Sequence, residues 1–331
     1  MATTNPLDVM PTMTDDLARV ESELLASVTS EDPYLTEIAA HLIKAGGKRV
    51  RPGFCIASGS TALATAAAAD DDLIRAAVSV ELVHLGSLYH DDVMDDAITR
   101  RTVASVNATW GNLKAILAGD FLLARASEIA SSLGVEVAGL LASTIARLCE
   151  GQVLELRYTY DTDRTEEAYL RSIDGKTAAL LATACRIGGI VSGASPERID
   201  ALTTFGNAYG MAFQMVDDVL DLVATEAELG KPAGHDMSEG VYTLPVLRAL
   251  ASEAGPKLRP LLTDHMTDDD RAEAVAIVRD GGWIAGAIEV AETHARRAVD
   301  ALSVFDAGSG VDGLSAAAAH LVDSVAAAAA R

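Results

Sequence analysis

The stretch HLGSLYHDDVMDDAITRR, residues 84–101, follows the apolar segment VSVELV, and the apolar spacing of the two predicts one long helix. On that helix Asp91 and Asp95 lie four residues apart and share one face. Two carboxylates about 4 Å apart repel by roughly 4 kcal/mol at an effective dielectric constant of 20. A positive group is therefore expected between them, and hard divalent cations prefer oxygen ligands. Taken alone, the stretch is more typical of a solvated acidic helix turn.

The composition of the whole chain favours helices. The 331 residues are half apolar, only 4% aromatic and rich in alanine, whereas strands favour β-branched and aromatic residues. The segments follow one another without a linker, an internal repeat or strand-like alternation. The sequence therefore predicts an all-α fold with a single domain over residues 1–331, of which residues 1–12 are expected to be frayed.

The charge of the chain makes each basic residue informative. A net charge of −22 argues against general binding to nucleic acid or anionic lipid. Against this background, GGKRVRP at residues 46–52 forms a local cationic cluster beside two glycines. Such a loop suits a phosphate or diphosphate, because arginine offers bidentate contacts, although a solvated basic loop has the same appearance.

The cysteines and the apolar segments indicate where the protein is located. Cys55, Cys149 and Cys185 are odd in number, widely spaced and set in apolar helical context, which predicts reduced core thiols. The N-terminal segment lacks the basic and apolar regions of a secretory signal. The apolar run at residues 178–194 is interrupted by Arg186. We therefore expect a cytoplasmic protein with no transmembrane segment.

A second aspartate cluster changes the interpretation of the first. DDVLD at residues 217–221 nearly repeats DDVMD at residues 91–95, and each lies on a predicted helix with apolar residues upstream. If the two helices face each other, their carboxylates enclose a pocket for several Mg²⁺ ions, which substrate phosphates would complete. The isolated cations would then stabilise a leaving diphosphate together with the metal. These cations are Lys48, Arg51, Arg100, Arg101, Lys176 and Lys231.

The ordered set of motifs resembles the trans-isoprenyl diphosphate synthases, the polyprenyl synthetase family. The motifs are GGKRVRP, HLGSLYHDDVMD with the paired arginines, the Lys176-Thr177 pair, FQMVDDVLD at residues 213–221 and GKPAGHD at residues 230–236. They cover nearly the whole chain. The resemblance implies a single large antiparallel helical bundle around a deep central cavity, usually assembled as a homodimer. Medium-chain and long-chain polyprenyl diphosphate synthases are the expected branch of the family.

The resemblance also implies a role for each matching residue. The diphosphate of isopentenyl diphosphate would be held by Lys48, Arg51, His84 and Arg101. The allylic diphosphate would be held by Arg100, Lys176, Thr177, Gln214 and Lys231. Three Mg²⁺ ions would bind with diphosphate to Asp91, Asp92, Asp95, Asp217, Asp218 and Asp221. The residues expected to be catalytic are Asp91, Asp95, Lys176 and Asp217.

By the same resemblance, the allylic substrate ionises to a carbocation, the isopentenyl double bond attacks it and a proton is lost. The departing diphosphate is expected to take the proton, so no protein base is assigned. Two positions depart from the pattern of many relatives. Thr102 stands where many have glycine after the paired arginines, and Val241 stands where many carry a second lysine.

Product length is predicted from two small residues. Gly86 and Ser87 precede Asp91 by about one helical turn, where the growing tail must pass, and leave the shaft open. A product longer than twenty carbons is therefore expected, with a farnesyl or geranylgeranyl diphosphate synthase as the short-chain alternative.

Two other functions were weighed. A class I terpene cyclase is disfavoured because Asp217, Asp221 and Thr225 do not match its second metal motif. It also has no use for the second diphosphate site that GGKRVRP and His84 suggest. A non-catalytic subunit of a heteromeric prenyl synthase typically lacks one aspartate cluster, and both clusters are intact here.

Overall fold

The structure is a computed structural model that describes residues 6–62, 66–225 and 232–329. These residues are mostly helical and contain almost no strand, which confirms the predicted all-α fold. The helices are α1 (Met13–Ser27), α2 (Pro33–Ala39), α3 (His41–Lys44), α4 (Val50–Ser60), α5 (Asp71–Met94), α6 (Val106–Trp110), α7 (Asn112–Ser132), α8 (Val135–Arg157), α9 (Glu166–Ile173), α10 (Ala179–Val191), α11 (Pro196–Val223), α12 (His235–Ser238), α13 (Leu244–Leu250), α14 (Gly255–Leu258), α15 (Asp268–Asp280), α16 (Trp283–Ala301) and α17 (Ser309–Ala329).

Several shorter elements connect these helices. A π-helix at Asp174–Ala178 runs directly into α10, and 3-10 helices lie at Pro6–Val9, Arg259–Leu261 and Leu302–Val304. The strands in the described residues are β1 (Thr99–Arg100) and β2 (Val103–Ala104), which pair antiparallel. This small hairpin, which follows α5, was not predicted.

The described chain forms two compact units. Unit 1 comprises Met1–Ile145, Leu180–Gly206 and Leu302–Ala316, and unit 2 comprises Ala146–Ala179, Asn207–Ala301 and Ala317–Arg331. The single domain over residues 1–331 stays a prediction, because a compact unit is not by itself an independently folding domain.

Helix α5 organises unit 1. Its N-terminus is capped by Asp70, whose carboxylate accepts a hydrogen bond from the Leu73 amide at 2.8 Å. Along its length α5 packs against α1, α4 and α7. The approach to α7 is close, since a Cβ added to Gly86 would lie 3.1 Å from the Gly119 carbonyl oxygen. Helix α5 is thereby fixed over the turns that carry the first aspartate motif.

The N-terminal residues of unit 1 are more ordered than predicted. Leu7 and Met10 are buried, and a Cβ on Gly53 or Gly313 would collide with them. The predicted fraying is therefore wrong for residues 6–12, because these two apolar side chains pack into the core. Residues 1–5 lie outside the described residues.

In unit 2, the π-helix is held closely against α8. A Cβ added to Gly175 would lie 2.9 Å from both the Arg147 carbonyl oxygen and the Gly151 Cα, so only glycine permits this approach. Asp174, at the start of the π-helix, accepts hydrogen bonds from Arg147 at 2.8 Å and from Asn207 at 2.6 Å. These contacts fix the turn that presents Lys176 and Thr177.

The cysteine prediction is correct for two of the three thiols. Cys55 and Cys185 are buried and free, whereas Cys149 is free but exposed on α8. The expectation that all three are core residues is therefore wrong for Cys149, since the outer face of α8 is not covered within the described residues. Helix α8 is also the one described helix long and apolar enough to cross a membrane, which by itself is weak evidence for a span.

Candidate functional site

The first aspartate motif lies at the C-terminal end of α5. Asp91 and Asp95 occupy successive turns, and the Asp95 amide donates to the Asp91 carbonyl oxygen at 2.8 Å. Asp91 is half-buried and Asp95 is exposed. Their four-residue spacing on a formed helix keeps both carboxylates on one face, as predicted.

Asp92 points away from that face. Its side chain is fully buried, and its Oδ1 accepts hydrogen bonds from Arg100 Nη2 at 2.6 Å and Arg100 Nε at 2.7 Å. Burial raises the pKa of Asp92, while the hydrogen bond and charge of Arg100 oppose the rise. The carboxylate of Asp92 thus pairs with Arg100 inside the protein, and its binding of metal stays a prediction.

The hairpin after α5 separates the paired arginines. Arg101 and Thr102 form its two-residue turn and have φ values of 51° and 66°. Positive φ at both central positions is the pattern of a type I′ turn, which glycine and asparagine favour. Arg100, on β1, reaches Asp92, whereas Arg101 donates to the carbonyl oxygens of Leu42, at 3.2 Å, and Gly46.

The family resemblance assigns four residues to the isopentenyl diphosphate site, and three of them lie close together in unit 1. Arg51, His84 and Arg101 are close enough for the two arginine charges to lower the pKa of His84. Burial is the larger cause, and together they hold the His84 pKa well below its usual value. His84 is therefore a neutral hydrogen-bonding group at this site. Lys48 is exposed on the loop that precedes Arg51.

No role was predicted for Arg49 or Glu81 from the sequence. Arg49 is 4% exposed and donates to Glu81 at 3.0 Å, to the Ile43 carbonyl oxygen at 3.0 Å and to Glu21. Glu81, on α5, is 2% exposed. The available signal was a lone glutamate in the apolar segment VSVELV, since a buried carboxylate needs a cationic partner.

The second aspartate motif lies on α11 in unit 2. Asp217 is exposed, whereas Asp218 is 4% exposed. Asp218 accepts hydrogen bonds from Tyr169 Oη at 2.5 Å and Gln214 Nε2 at 2.9 Å, and Thr177 donates to Gln214 at 2.8 Å. Asp218, predicted to bind metal, is therefore enclosed by protein donors. Tyr169 was not predicted.

Asp218 has a strongly shifted pKa. Burial, with repulsion from Asp236, raises the pKa of Asp218 to about 8, although the hydrogen bonds from Tyr169 and Gln214 oppose the rise. Asp221, 4% exposed, has a different environment. Its Oδ2 accepts the Asp236 amide at 3.3 Å, and its carbonyl oxygen accepts the Gly234 amide at 2.8 Å. These bonds tie the GHD segment to the end of the motif.

The structure describes one of the two lysines that were predicted to bind the allylic diphosphate. Lys176 forms an ion pair with Glu155 on α8, and Glu155 was not predicted because one acid on a helix gives no signal. Lys231 lies outside the described residues. Val241 donates its amide to the Asp236 carbonyl oxygen at 2.8 Å and brings no charge.

The donor atoms suit a hard divalent cation. Within residues 6–62, 66–225 and 232–329, no group of three or more His, Cys, Asp or Glu side chains forms a ready-made metal site. Mg²⁺ does not require one, since it usually keeps several waters and binds through one or two carboxylates and substrate phosphates. The solvent-accessible carboxylates of Asp91, Asp95 and Asp217 fit that requirement.

The two chain-length positions differ in environment. A Cβ on Gly86 would meet Leu123 Cγ as well as the Gly119 carbonyl oxygen, each at 3.1 Å, so helix packing alone explains this glycine. Ser87 is half-buried, and its hydroxyl donates to the His84 carbonyl oxygen at 2.8 Å. A role for either residue in chain length stays a prediction.

Comparison with known proteins identifies the family. The polyprenyl synthetase family profile matches residues 32–278. Nonaprenyl diphosphate synthase of Mycobacterium tuberculosis is 40% identical over 293 residues, 87% of this chain and 86% of that protein. Heptaprenyl diphosphate synthase component 2 of Geobacillus stearothermophilus is 42% identical over 270 residues, 80% of this chain and 81% of that protein.

Solved structures agree with this assignment. The crystal structure of polyprenyl synthase from Caulobacter crescentus CB15, complexed with calcium and isoprenyl diphosphate, has a TM-score of 0.88 and 31% identity. The match covers 96% of this chain and 97% of that chain. The protein therefore has the isoprenoid synthase fold and belongs to the polyprenyl synthetase family of trans-prenyltransferases.

Proposed function

We propose that this protein condenses isopentenyl diphosphate with an allylic diphosphate, head to tail and in the trans configuration, to give a polyprenyl diphosphate longer than twenty carbons. The observation that carries the proposal is the repeated arrangement of the two aspartate motifs. In each motif the first aspartate is accessible and the second is buried against protein donors. A solvated acidic surface does not require such internal support.

Two separate sets of donors support binding of two diphosphates. In unit 1, Arg51 and Arg101 lie with neutral His84, and Lys48 is on the adjoining loop. We assign this set to isopentenyl diphosphate. Arginine is suited to the task because its planar guanidinium can bind a phosphate through two hydrogen bonds. A cyclase, which uses one diphosphate substrate, has no need of this set.

In unit 2, Lys176, Thr177 and Gln214 are assigned to the allylic diphosphate. Lys176 pairs with Glu155 before substrate binds, and Thr177 is oriented by its hydrogen bond to Gln214. The lysine can exchange its carboxylate partner for a phosphate oxygen. Lys231 and Arg100 are assigned to the same diphosphate from the family resemblance, with Arg100 also supporting Asp92.

Asp91, Asp95 and Asp217 are proposed to hold Mg²⁺, with three ions bound alongside diphosphate. When bound, the metal stabilises the negative charge that develops on the leaving diphosphate. The allylic carbon–oxygen bond breaks and its electron pair leaves with the diphosphate. The isopentenyl double bond then forms the new carbon–carbon bond, and a proton passes to the departing diphosphate. No side chain is assigned as the base.

Incubation of the purified protein with Mg²⁺, labelled isopentenyl diphosphate and farnesyl diphosphate tests the function. We expect chain extension and, after dephosphorylation, a product longer than twenty carbons. No extension by the protein alone would overturn the proposal. Extension only after a second protein is added would support the heteromeric alternative, to which the name of the Geobacillus relative gives weight. Products of fifteen or twenty carbons would support the short-chain alternative.

The small side chain of Ser87 is proposed to leave room for the long product. Ser87→Phe should shorten the product, because a ring would occupy space next to the turn that carries Asp91. Ser87→Ala keeps the side chain small and serves as the matched control. An unchanged product distribution in Ser87→Phe would contradict this role.

We also propose that the protein is a cytoplasmic homodimer. Helix α7 exposes Leu113, Ile116 and Leu117, at 80%, 40% and 65%, and their spacing places them on one face. A second copy of the chain is the proposed partner for this face. Light scattering should give the mass of a dimer, and Leu117→Glu should give the mass of a monomer. A monomeric wild-type protein would contradict the homodimer.

A further inference from the structure

Glu81 is a buried carboxylate with no role in the reaction as described above. It lies on α5 one turn before His84, and its side chain is 2% exposed. A charged group buried at this depth is unfavourable unless cations compensate it. Its neighbours are three arginines of the cationic segments, Arg49, Arg51 and Arg101, each of which opposes the rise in pKa that burial imposes on Glu81.

The contacts of Glu81 join two separate segments of unit 1. Its Oε1 is 3.0 Å from Arg49 Nη1, in the GGKRVRP loop, and 3.9 Å from Arg101 Nη2, in the hairpin turn. Both arginines have positive φ, 46° at Arg49 and 51° at Arg101, which is uncommon for residues other than glycine. The backbone is thus turned at both positions where a guanidinium reaches Glu81.

The loop is shaped around the same cluster. Arg101 donates to the carbonyl oxygens of Leu42 and Gly46. A Cβ on Gly47 would lie 2.8 Å from Arg101 Nη1, so only glycine allows the guanidinium to lie against this loop. The positions of the two arginine segments therefore depend on each other, and Glu81 is the anion common to both.

The charges in the cluster require such an anion. Burial lowers the pKa of Arg51, and repulsion from Arg101 lowers it further. Burial also lowers the pKa of Arg101, and there the repulsion comes from Arg49 and Arg100. Arg51 Nε is buried without a hydrogen-bond partner. Arg49 has a second carboxylate partner, Glu21, whose side chain is 38% exposed. Glu81 is therefore the buried counter-charge that lets three guanidinium groups occupy one site before an anionic ligand arrives.

We propose that Glu81 is a positioning residue for the isopentenyl diphosphate site, holding Arg49, Arg51 and Arg101 in the arrangement that receives the diphosphate. The inference rests on the proposed function. Because Glu81 acts through the arginines, it is assigned to binding of one substrate and not to the chemical step. Its loss should therefore affect isopentenyl diphosphate far more than the allylic substrate.

Steady-state kinetics of Glu81→Gln test this role. We expect KM for isopentenyl diphosphate to rise at least tenfold, with KM for farnesyl diphosphate unchanged and kcat within about threefold, because uniform binding is lost without loss of transition-state stabilisation. Glu81→Asp, which keeps the charge, should recover part of the affinity. An unchanged KM for isopentenyl diphosphate, or an equal rise for both substrates, would overturn the role.

Glu21→Gln is the matched control. It removes the other carboxylate partner of Arg49 but leaves the buried contact to Glu81, and we expect less than about a threefold change in KM. If Glu81→Gln does not fold, the double variant Glu81→Gln/Arg49→Gln removes the ion pair as a whole. The double variant should still show a selective rise in KM for isopentenyl diphosphate, and equal KM values would contradict the role.

A binding measurement separates this inference from the proposed function. Calorimetric titration of the full chain with isopentenyl diphosphate in EDTA reports the cationic site without metal or turnover. We expect Glu81→Gln to bind at least tenfold more weakly than wild type. Equal dissociation constants would overturn the role of Glu81 even where wild type extends chains. A wild type that extends no chain overturns the proposed function, whatever the titration shows.

Discussion

The aspartate motifs of unit 1 and unit 2 have nearly the same sequence but different electrostatic support. In unit 1, the buried Asp92 pairs with a cation, Arg100, at 2.6 Å. In unit 2, the buried Asp218 is held by the neutral donors Tyr169 and Gln214. The buried carboxylate of one motif therefore has a cationic hydrogen-bond partner, whereas that of the other has neutral donors.

The difference has a consequence for ionisation. Burial raises the pKa of both inner aspartates, but Arg100 opposes the rise at Asp92, whereas repulsion from Asp236 adds to it at Asp218, whose pKa reaches about 8. At neutral pH without metal, Asp218 is therefore largely protonated. Identical residues at identical spacing carry different charge because their partners come from elsewhere in the chain, the hairpin in unit 1 and α9 in unit 2.

Substitution of the accessible aspartates, Asp91 and Asp217, should have the largest effect on activity. The loss of activity should be similar for the two motifs. Asp91→Asn and Asp217→Asn each remove an accessible carboxylate assigned to metal. We expect kcat/KM to fall by about 10³-fold or more, since metal contributes several kcal/mol and each tenfold is about 1.4 kcal/mol. Thermal unfolding should change little, because Asp91 is only half-buried and Asp217 is exposed.

Asp96→Asn is the control for these variants. Asp96 is exposed next to the first motif and has φ of 48°, a conformation that asparagine tolerates. It should keep activity within about twofold. A small effect of Asp91→Asn or Asp217→Asn on kcat/KM would contradict the assignment of that carboxylate to metal.

Tyr169→Phe should weaken the second motif selectively. It removes the 2.5 Å hydrogen bond to Asp218 and leaves the rest of the ring in place. Groups that orient a metal site from behind typically change metal affinity by about 10-fold to 100-fold. We therefore expect the Mg²⁺ concentration for half-maximal rate to rise by about that factor, with the rate at saturating Mg²⁺ nearly restored.

Tyr160→Phe provides the comparison for Tyr169→Phe. Tyr160 also donates its hydroxyl to a protein oxygen, the Ser238 carbonyl at 3.1 Å, but it is exposed and its hydroxyl does not bond to Asp218. Its Mg²⁺ dependence should match wild type. An equal shift in both variants would show that the effect of Tyr169 is not specific to Asp218.

Stability in metal-free buffer should distinguish the inner aspartates. The unfolded chain releases the Asp218 proton near pH 4, whereas the folded chain keeps it to about pH 8. The folded state binds more protons between these values, so the contribution of Asp218 to stability falls as pH rises through this window. Asp218→Asn should remove this slope and become relatively more stable towards pH 8, as measured by urea unfolding.

Asp92→Asn, unlike Asp218→Asn, should lower the free energy of unfolding at neutral pH. It leaves the Arg100 guanidinium without its counter-charge, at a cost of about 1–3 kcal/mol. Urea unfolding should show this loss at pH 7, where Asp218→Asn is close to wild type. Equal losses in the two variants would contradict the proposed difference between the motifs.

Sequence reasoning could predict the helices and the accessible side of the site. The apolar spacing before residues 91–95 predicted the long helix α5. Asp91 and Asp95 lie on one helix face because that relation depends only on helical geometry. Local rules were sufficient wherever the partner of a residue lies within a few turns of it.

The buried contacts that hold the site residues in place could not be predicted in the same way. Asp92 and Asp218 are adjacent in sequence to accessible aspartates, and only tertiary packing decides which carboxylate points inward. Arg49 depends on a backbone with φ of 46°, which no local preference of arginine suggests. Tyr169 pairs with a residue far along the chain. These contacts depend on distant segments, which periodicity does not report.

The smallest expected effect concerns the hairpin that supplies Arg100 and has no counterpart among the described residues of unit 2. Thr102 is β-branched yet has φ of 66° at a position that favours glycine. Relief of a left-handed conformation is worth about 1–2 kcal/mol, while glycine costs about 0.5–1 kcal/mol in chain entropy. Thr102→Gly should therefore stabilise the protein by up to about 1 kcal/mol, with activity close to wild type.

Thr99→Gly is the matched control for Thr102→Gly, because Thr99 is exposed on β1 of the same hairpin and is not among the residues with positive φ. There glycine brings the entropy cost without relief of strain, so its melting temperature should fall while that of Thr102→Gly rises. A fall in both would mean that the 2.6 Å hydrogen bond from the Thr102 hydroxyl to the Arg101 carbonyl oxygen outweighs the backbone strain. Thr102 would then stabilise the hairpin turn, and the position of Arg100 beside Asp92 would depend on Thr102.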